Sequence, residues 1–124
     1  MITALDHIQL PMPEGREEDA RDFFGRLLEL EEIEKPPSLA RRGGVWFALP
    51  DGRQVHLGVE KPFRPNEKAH PALVASSLDG LARRLEDGGF PVNWDDELAP
   101  RQRFYSEDPF GNRVEFLEPV LKRA

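Results

Sequence analysis

The chain has 124 residues, 39% of them hydrophobic and 32% charged, the proportions of one ordinary globular domain. A net charge of −6 argues against nucleic acid as a partner, and the absence of cysteine excludes disulfides, thiolate metal sites and a cysteine nucleophile. No apolar run approaches the roughly 20 residues of a membrane span, and Met1–Asp6 has neither the basic start nor the apolar stretch of a signal peptide, so a cytoplasmic protein is expected.

Residues 2–10 read as a strand with Ile8 and Leu10 on one face and His7 and Gln9 on the other, ended by Pro11 and Pro13. Residues 17–30 read as a helix. Ala20, Phe23, Phe24, Leu27 and Leu28 form its apolar stripe, and Glu17, Glu18 and Asp19 suit the positive end of its dipole. A short polar strand at 30–35 stops at Pro36-Pro37, and an apolar strand follows at 44–49. Pro50-Asp51-Gly52 is a turn signal. Residues 53–60 are the next strand, with Val55, Leu57 and Val59 opposite Gln54, His56 and Glu60. Lys61 to Lys68 is Pro-rich and polar, a linker at 61–68 between module 1 (about 1–60) and module 2 (about 69–120) of one domain spanning 1–124.

The order then recurs. Residues 70–76 are a strand, and Ser76 to Asp79 resembles a capping box. Leu78, Leu81, Ala82 and Leu85 form a helical stripe ended by Gly88-Gly89, and strands are expected at 91–95, 102–106 and 113–118. The pattern is α+β: two tandem βαβββ modules whose helices can each cover only one face of a sheet. At a near-constant offset, Asp6-His7-Ile8-Gln9-Leu10 is echoed by Ala69-His70-Pro71-Ala72-Leu73, and the strand bearing His56 by the one bearing Glu115.

A lone strand histidine is usually structural. Here all three histidines and one glutamate fall on repeated positions, and equivalent positions of a duplicated sheet can converge on one centre. Imidazole and carboxylate suit Zn, Ni, Mn, Co and Fe(II), and two histidines with one carboxylate leave coordination positions open. His7, His70 and Glu115 supply that set, with His56 as a fourth ligand or a base beside it. Arg103 and Tyr105 share a strand face that could anchor an anionic substrate; Gln9 and Trp46 are further lining candidates.

These residues resemble the vicinal oxygen chelate superfamily, which includes glyoxalase I, extradiol dioxygenases, fosfomycin-resistance enzymes and bleomycin-resistance proteins. The resemblance rests on Leu5-Asp6-His7-Ile8, Ala20-Arg21-Asp22-Phe23-Phe24, His70-Pro71-Ala72-Leu73 with Leu78-Asp79-Gly80-Leu81, and Asp108-Pro109-Phe110-Gly111-Asn112-Arg113-Val114-Glu115-Phe116. It implies paired modules forming a curled mixed sheet around a central cavity, and usually a homodimer. It also implies one divalent metal per site, with His7, His70 and Glu115 matching the ligands. The implied activity is a glyoxalase-like lyase or isomerase acting on a small oxygen-chelating substrate, Glu115 and His56 being the catalytic candidates. The alternatives it leaves are a bleomycin-type binding protein without catalysis and an Fe(II) dioxygenase. At His56 the chain departs from the glutamate typical of glyoxalase I, which argues against methylglyoxal isomerisation.

Overall fold

The computed structural model describes residues 1–120 and divides into two units, Met1–Asn66 and a second beginning at Glu67. Unit 1 contains β1 (His7–Met12), α1 (Glu17–Ala20), which continues as a π-helical segment (Arg21–Leu27), β2 (Glu31–Ile33), α2 (Pro37–Ala40), β3 (Val45–Ala48) and β4 (Gln54–Val59). Unit 2 contains β5 (Ala72–Val74), α3 (Leu78–Asp87), β6 (Asn93–Asp95), β7 (Arg103–Glu107) and β8 (Arg113–Leu117).

The two sheets have the same topology, β1-β4-β3-β2 and β5-β8-β7-β6. In each, the first strand pairs parallel with the last, and the remaining pairs are antiparallel. The registers repeat as well. Gln9, His56 and Trp46 form one cross-strand row in unit 1, and Ala72, Glu115 and Tyr105 form the matching row in unit 2. His56 and Glu115 therefore hold equivalent places, as do Trp46 and Tyr105.

Strand alternation separates core from site. In unit 1, Leu10, Met12, Val55, Leu57, Val45 and Phe47 are buried, and Phe24 stacks on Phe47 with ring centroids 5.7 Å apart. In unit 2, Phe104 packs between Trp94 and Phe116, at 5.1 and 5.3 Å. Gly44 lies at φ +88, where a Cβ would collide with the Leu57 carbonyl oxygen, so β3 can approach β4 there only with glycine.

Several boundaries depart from the sequence pattern. β1 runs through Pro11 to Met12 because it is an edge strand, where a missing N–H can face away from the ladder. The first helix widens from Arg21, with Leu28 N–H donating to the Phe23 carbonyl in an i→i+5 bond. The wider turn breaks the 3.6-residue spacing: Phe23 and Phe24 are buried, but Leu27 and Leu28 are only partly so. Residues 30–35 and 36–44 hold both β2 and the unanticipated α2, which starts at Pro37, where a fixed φ suits a first helical turn.

The helix cap also sits one residue later than expected. Ser77, not Ser76, is the N-cap of α3, and its Oγ accepts from Gly80 N–H at 3.3 Å. At the other end, Gly89 (φ +85) allows Phe90 N–H to reach the Leu85 carbonyl and Gly89 N–H that of Glu86, as Gly88-Gly89 anticipated. A Ser77→Ala variant is expected to cost about 1 kcal/mol, read as a lower urea midpoint at unchanged slope, whereas Ser76→Ala should leave the midpoint in place.

Candidate metal and substrate site

In unit 2, β8 places Glu115 opposite Tyr105 of β7, and His70 lies just before β5. The His70 Nδ1 lies 2.7 Å from the Lys68 carbonyl oxygen, which can only accept, so Nδ1 carries a proton. The other nitrogen, Nε2, lies 2.9 Å from Glu115 Oε1. Both ring nitrogens thus face oxygen acceptors. Neutral imidazole has one N–H and cannot donate to both, so the Nε2–Oε1 contact needs either a proton between the two atoms or a metal ion taking both as ligands.

Glu115 is only 6% exposed. Its Oε2 accepts from Arg103 Nη1 at 3.2 Å, and Arg103 also holds Asp95 Oδ1 through Nε at 3.0 Å and Nη2 at 2.9 Å. Arg103 therefore bridges two carboxylates and fixes the orientation of Glu115. Its guanidinium carbon is 5.2 Å from the centre of the Tyr105 ring, and Tyr105 meets His70 edge to face at 5.5 Å. Bonding to Arg103 and to the Glu97 amide, the latter the larger cause, keeps the Asp95 carboxyl below its ordinary value.

Unit 1 is built differently at the equivalent positions. His7 lies at the exposed start of β1, its Nδ1 2.8 Å from Asp6 Oδ2. That contact puts a proton on Nδ1, the carboxylate–imidazole arrangement that orients metal-binding histidines. His56, 4% exposed, is stacked between two rings: Trp46 at 3.7 Å and 2° between planes, His7 at 4.2 Å and 17°. Its Nε2 lies 2.8 Å from Gln54 Oε1. Desolvation, reinforced by the nearby charges of His7 and Lys35 and partly offset by Asp6, pushes the His56 pKa down to about 4. His56 is therefore neutral at pH 7, with one nitrogen occupied by Gln54.

The remaining sequence candidates divide accordingly. Trp46 stacks on His56, whereas its neighbour Phe47 is core. The Gln9 amide lies over Gly58, where a Cβ would displace it. Arg103, expected as an anion anchor, is taken up by Asp95 and Glu115. Gln54, Asp6 and Arg113 entered no sequence-based ligand set, although period-2 alternation puts Gln54 beside His56 and Arg113 beside Glu115. Among the described residues, no group of three or more histidines, carboxylates or cysteines lies close enough to hold a metal; His70 and Glu115 form a pair.

The Asp108–Asn112 turn supports this site from behind. Asp108 Oδ1 accepts the Phe110 and Asn112 backbone N–H groups, both at 2.9 Å, and Oδ2 accepts the Asn112 side-chain amide at 2.8 Å. Gly111 supplies φ +89, and Asp108 N–H closes on the Asn112 carbonyl. Asp108 and Asn112 are buried, so the turn sets where β8 starts and hence where Glu115 falls.

No protein-family profile matches the chain, and no curated protein matches it. Among solved structures, the chain is similar to a glyoxalase family protein from Bacillus anthracis, with 42% identity over 95% of this chain and 96% of that one, at a TM-score of 0.90. Two more distant structures share the fold. A lactoylglutathione lyase from Agrobacterium tumefaciens is 20% identical over 94% of each chain, with a TM-score of 0.72. A genomically encoded fosfomycin resistance protein from Listeria monocytogenes is 18% identical over 98% and 97%, with a TM-score of 0.75.

Proposed function

The chain belongs to the glyoxalase/bleomycin resistance/dioxygenase (vicinal oxygen chelate) superfamily, and from that premise we propose that it is a metal-dependent lyase or isomerase. Its substrate would be a small molecule that chelates a divalent ion through neighbouring oxygens, such as an α-oxo or α-hydroxy carbonyl compound. The observation that carries the proposal is the His70–Glu115 pair, in which Nε2 and Oε1 face each other at 2.9 Å while Nδ1 is tied to a carbonyl. A metal ion satisfies that pair without a protonated ring.

Two protein ligands do not complete a coordination sphere. We propose His7, of this chain or of a second copy, as a further ligand, because Asp6 orients its ring through Nδ1. The ion would be one of Zn, Ni, Mn, Co or Fe(II). When bound it supplies Lewis acidity, polarising a carbonyl oxygen. The chain's own groups do the positioning. Lys68 holds the His70 ring, Arg103 holds Glu115, and Asp6 holds His7. His56 is a poor proton acceptor at neutral pH, since a base with a pKa near 4 is mostly unable to take a proton from a weak carbon acid. Its place is inside an aromatic stack, between Trp46 and His7.

That stack favours a second reading. Trp46 and His7 close an aromatic stack over His56, and the outer faces of these two rings are the surface a ligand-sequestering member would use to hold a planar molecule. The proposal keeps a homodimer in the cytoplasm; sedimentation tests the first part. Among the described residues, no helix is long and apolar enough to cross a membrane.

The deciding experiment is metal analysis of protein purified without chelator or tag-derived nickel, beside a Glu115→Gln variant and a His7→Ala/Glu115→Ala double variant. We expect close to one ion per site in the parent protein. In Glu115→Gln, affinity should fall by at least roughly 100-fold, the upper end of what losing even an outer-sphere partner costs. A parent protein that holds no metal and takes up none of Zn, Ni, Mn, Co or Fe(II) would overturn the enzyme reading in favour of the sequestering one.

A further inference from the structure

One cation on the Glu115 face forms no ion pair among the described residues, although it lies near enough to Asp95 to help hold that carboxyl low. Arg113 lies two residues before Glu115 on β8, so both side chains leave the same face of the sheet. Its register partner across the ladder is Glu107, yet among the described residues Arg113 forms no ion pair with Glu107 or any other carboxylate. Instead its guanidinium carbon sits 3.9 Å from the centre of the Tyr105 ring. Stacking of this kind holds the guanidinium plane while leaving its in-plane N–H groups unspent. Arg103, on the same face, is in the opposite condition, closed between Asp95 and Glu115. Of the two arginines that touch Tyr105, one fixes a proposed ligand and the other remains able to bind an anion.

The ring that Arg113 stacks on is the ring that meets His70 edge to face, and His70 faces Glu115. Arg113, Tyr105, His70 and Glu115 are thus linked side chain to side chain within unit 2. We propose that Arg113 is the anion-recognition residue of this site, and that the substrate carries a carboxylate, phosphonate or phosphate group beyond the oxygens that would chelate the metal. The assignment rests on the reading of this face as the substrate site. It narrows the substrate class from neutral α-oxo or α-hydroxy carbonyl compounds to acids. A planar fork that donates two parallel N–H bonds matches such an oxyanion, and lysine, a point charge with no plane to stack, does not replace it.

The test separates anion binding from metal binding. Inorganic phosphate is titrated by calorimetry into chelator-treated parent protein, Arg113→Gln, Arg113→Lys and an Arg83→Gln control on exposed α3. Zinc uptake is measured on the same four proteins. We expect phosphate affinity to fall at least tenfold in Arg113→Gln, to be only partly kept in Arg113→Lys, and to be unchanged in the control, with zinc uptake equal in all four. Equal phosphate affinity in the parent and both Arg113 variants, or no phosphate binding by the parent, would overturn the assignment. Loss of phosphate binding in Arg113→Gln in proteins that take up no zinc would support the anion site while overturning the metal reading.

Discussion

Replacing Asp108 by alanine is expected to lower stability by about 3–5 kcal/mol. The carboxylate accepts three N–H groups, two from the backbone and one from the Asn112 side chain, in a turn where both Asp108 and Asn112 are buried. Deleting it orphans all three donors, and a buried donor without an acceptor costs roughly 1–3 kcal/mol. Relaxation of the turn toward water recovers part of that sum. Asp108→Asn keeps one acceptor oxygen at the same place and should lose less. Urea unfolding followed by tryptophan fluorescence measures both. A loss below about 1 kcal/mol for Asp108→Ala would mean that the turn is held by Gly111 and the β7–β8 ladder instead.

The second large effect is a loss of stability in mild acid. His56 has a folded-state pKa of about 4 against an ordinary 6.5. Between those values the unfolded chain binds a proton that the folded chain does not, so stability rises with pH across the window. Its contribution is complete above pH 6.5 and is lost as pH falls toward 4, by at most about 3 kcal/mol. The carboxyls with shifted pKa act elsewhere or in the opposite sense. Asp51 and Asp95 are lowered below 3.8, so their stabilising share is lost only in stronger acid. Burial raises Asp108 from 3.8, so its titration favours the folded state as pH falls. Unfolding free energies from pH 4 to 8, for the parent and for His56→Phe, isolate the effect. Phenylalanine can keep the stack with Trp46 and has no proton to bind. Parallel pH profiles for the two proteins would mean that His56 is protonated in the fold after all.

The two experiments probe the two halves of the repeat, and the halves differ in an informative way. His56 and Glu115 occupy equivalent places in equivalent sheets, yet one is a neutral ring in an aromatic stack and the other a charged ligand candidate held by arginine. A duplicated fold conserves the direction of a side chain at each position, because strand register and period-2 alternation are backbone properties. It does not conserve what surrounds that side chain. The chemistry of each half then follows from its neighbours: Trp46 and Gln54 around His56, Arg103 and Tyr105 around Glu115.

The sequence by itself determined the architecture. Two rounds of βαβββ, the tandem helical stripes and the Gly88-Gly89 and Asp108–Asn112 turns are all legible, because hydrophobic period and turn chemistry are local signals. The family resemblance was legible for the same reason, as was the pairing of His7 with His70 and of His56 with Glu115 by offset. The ends of elements were less so. The run of β1 through Pro11 depends on which strand lies at the sheet edge, and the widening of the first helix shifts Leu27 and Leu28 off its buried stripe. Only the tertiary structure decided what each polar group does. Arg103 and Arg113 alternate on neighbouring strands and look alike in sequence. One bridges Asp95 and Glu115 and the other lies on Tyr105, because which partner a long side chain reaches depends on cross-strand register and on what is already taken. The same holds for the histidines. Sequence supplies an imidazole, but tautomer and charge follow from whether a carbonyl, a carboxylate, an amide or a ring stands beside it, and those neighbours come together only when the sheet forms.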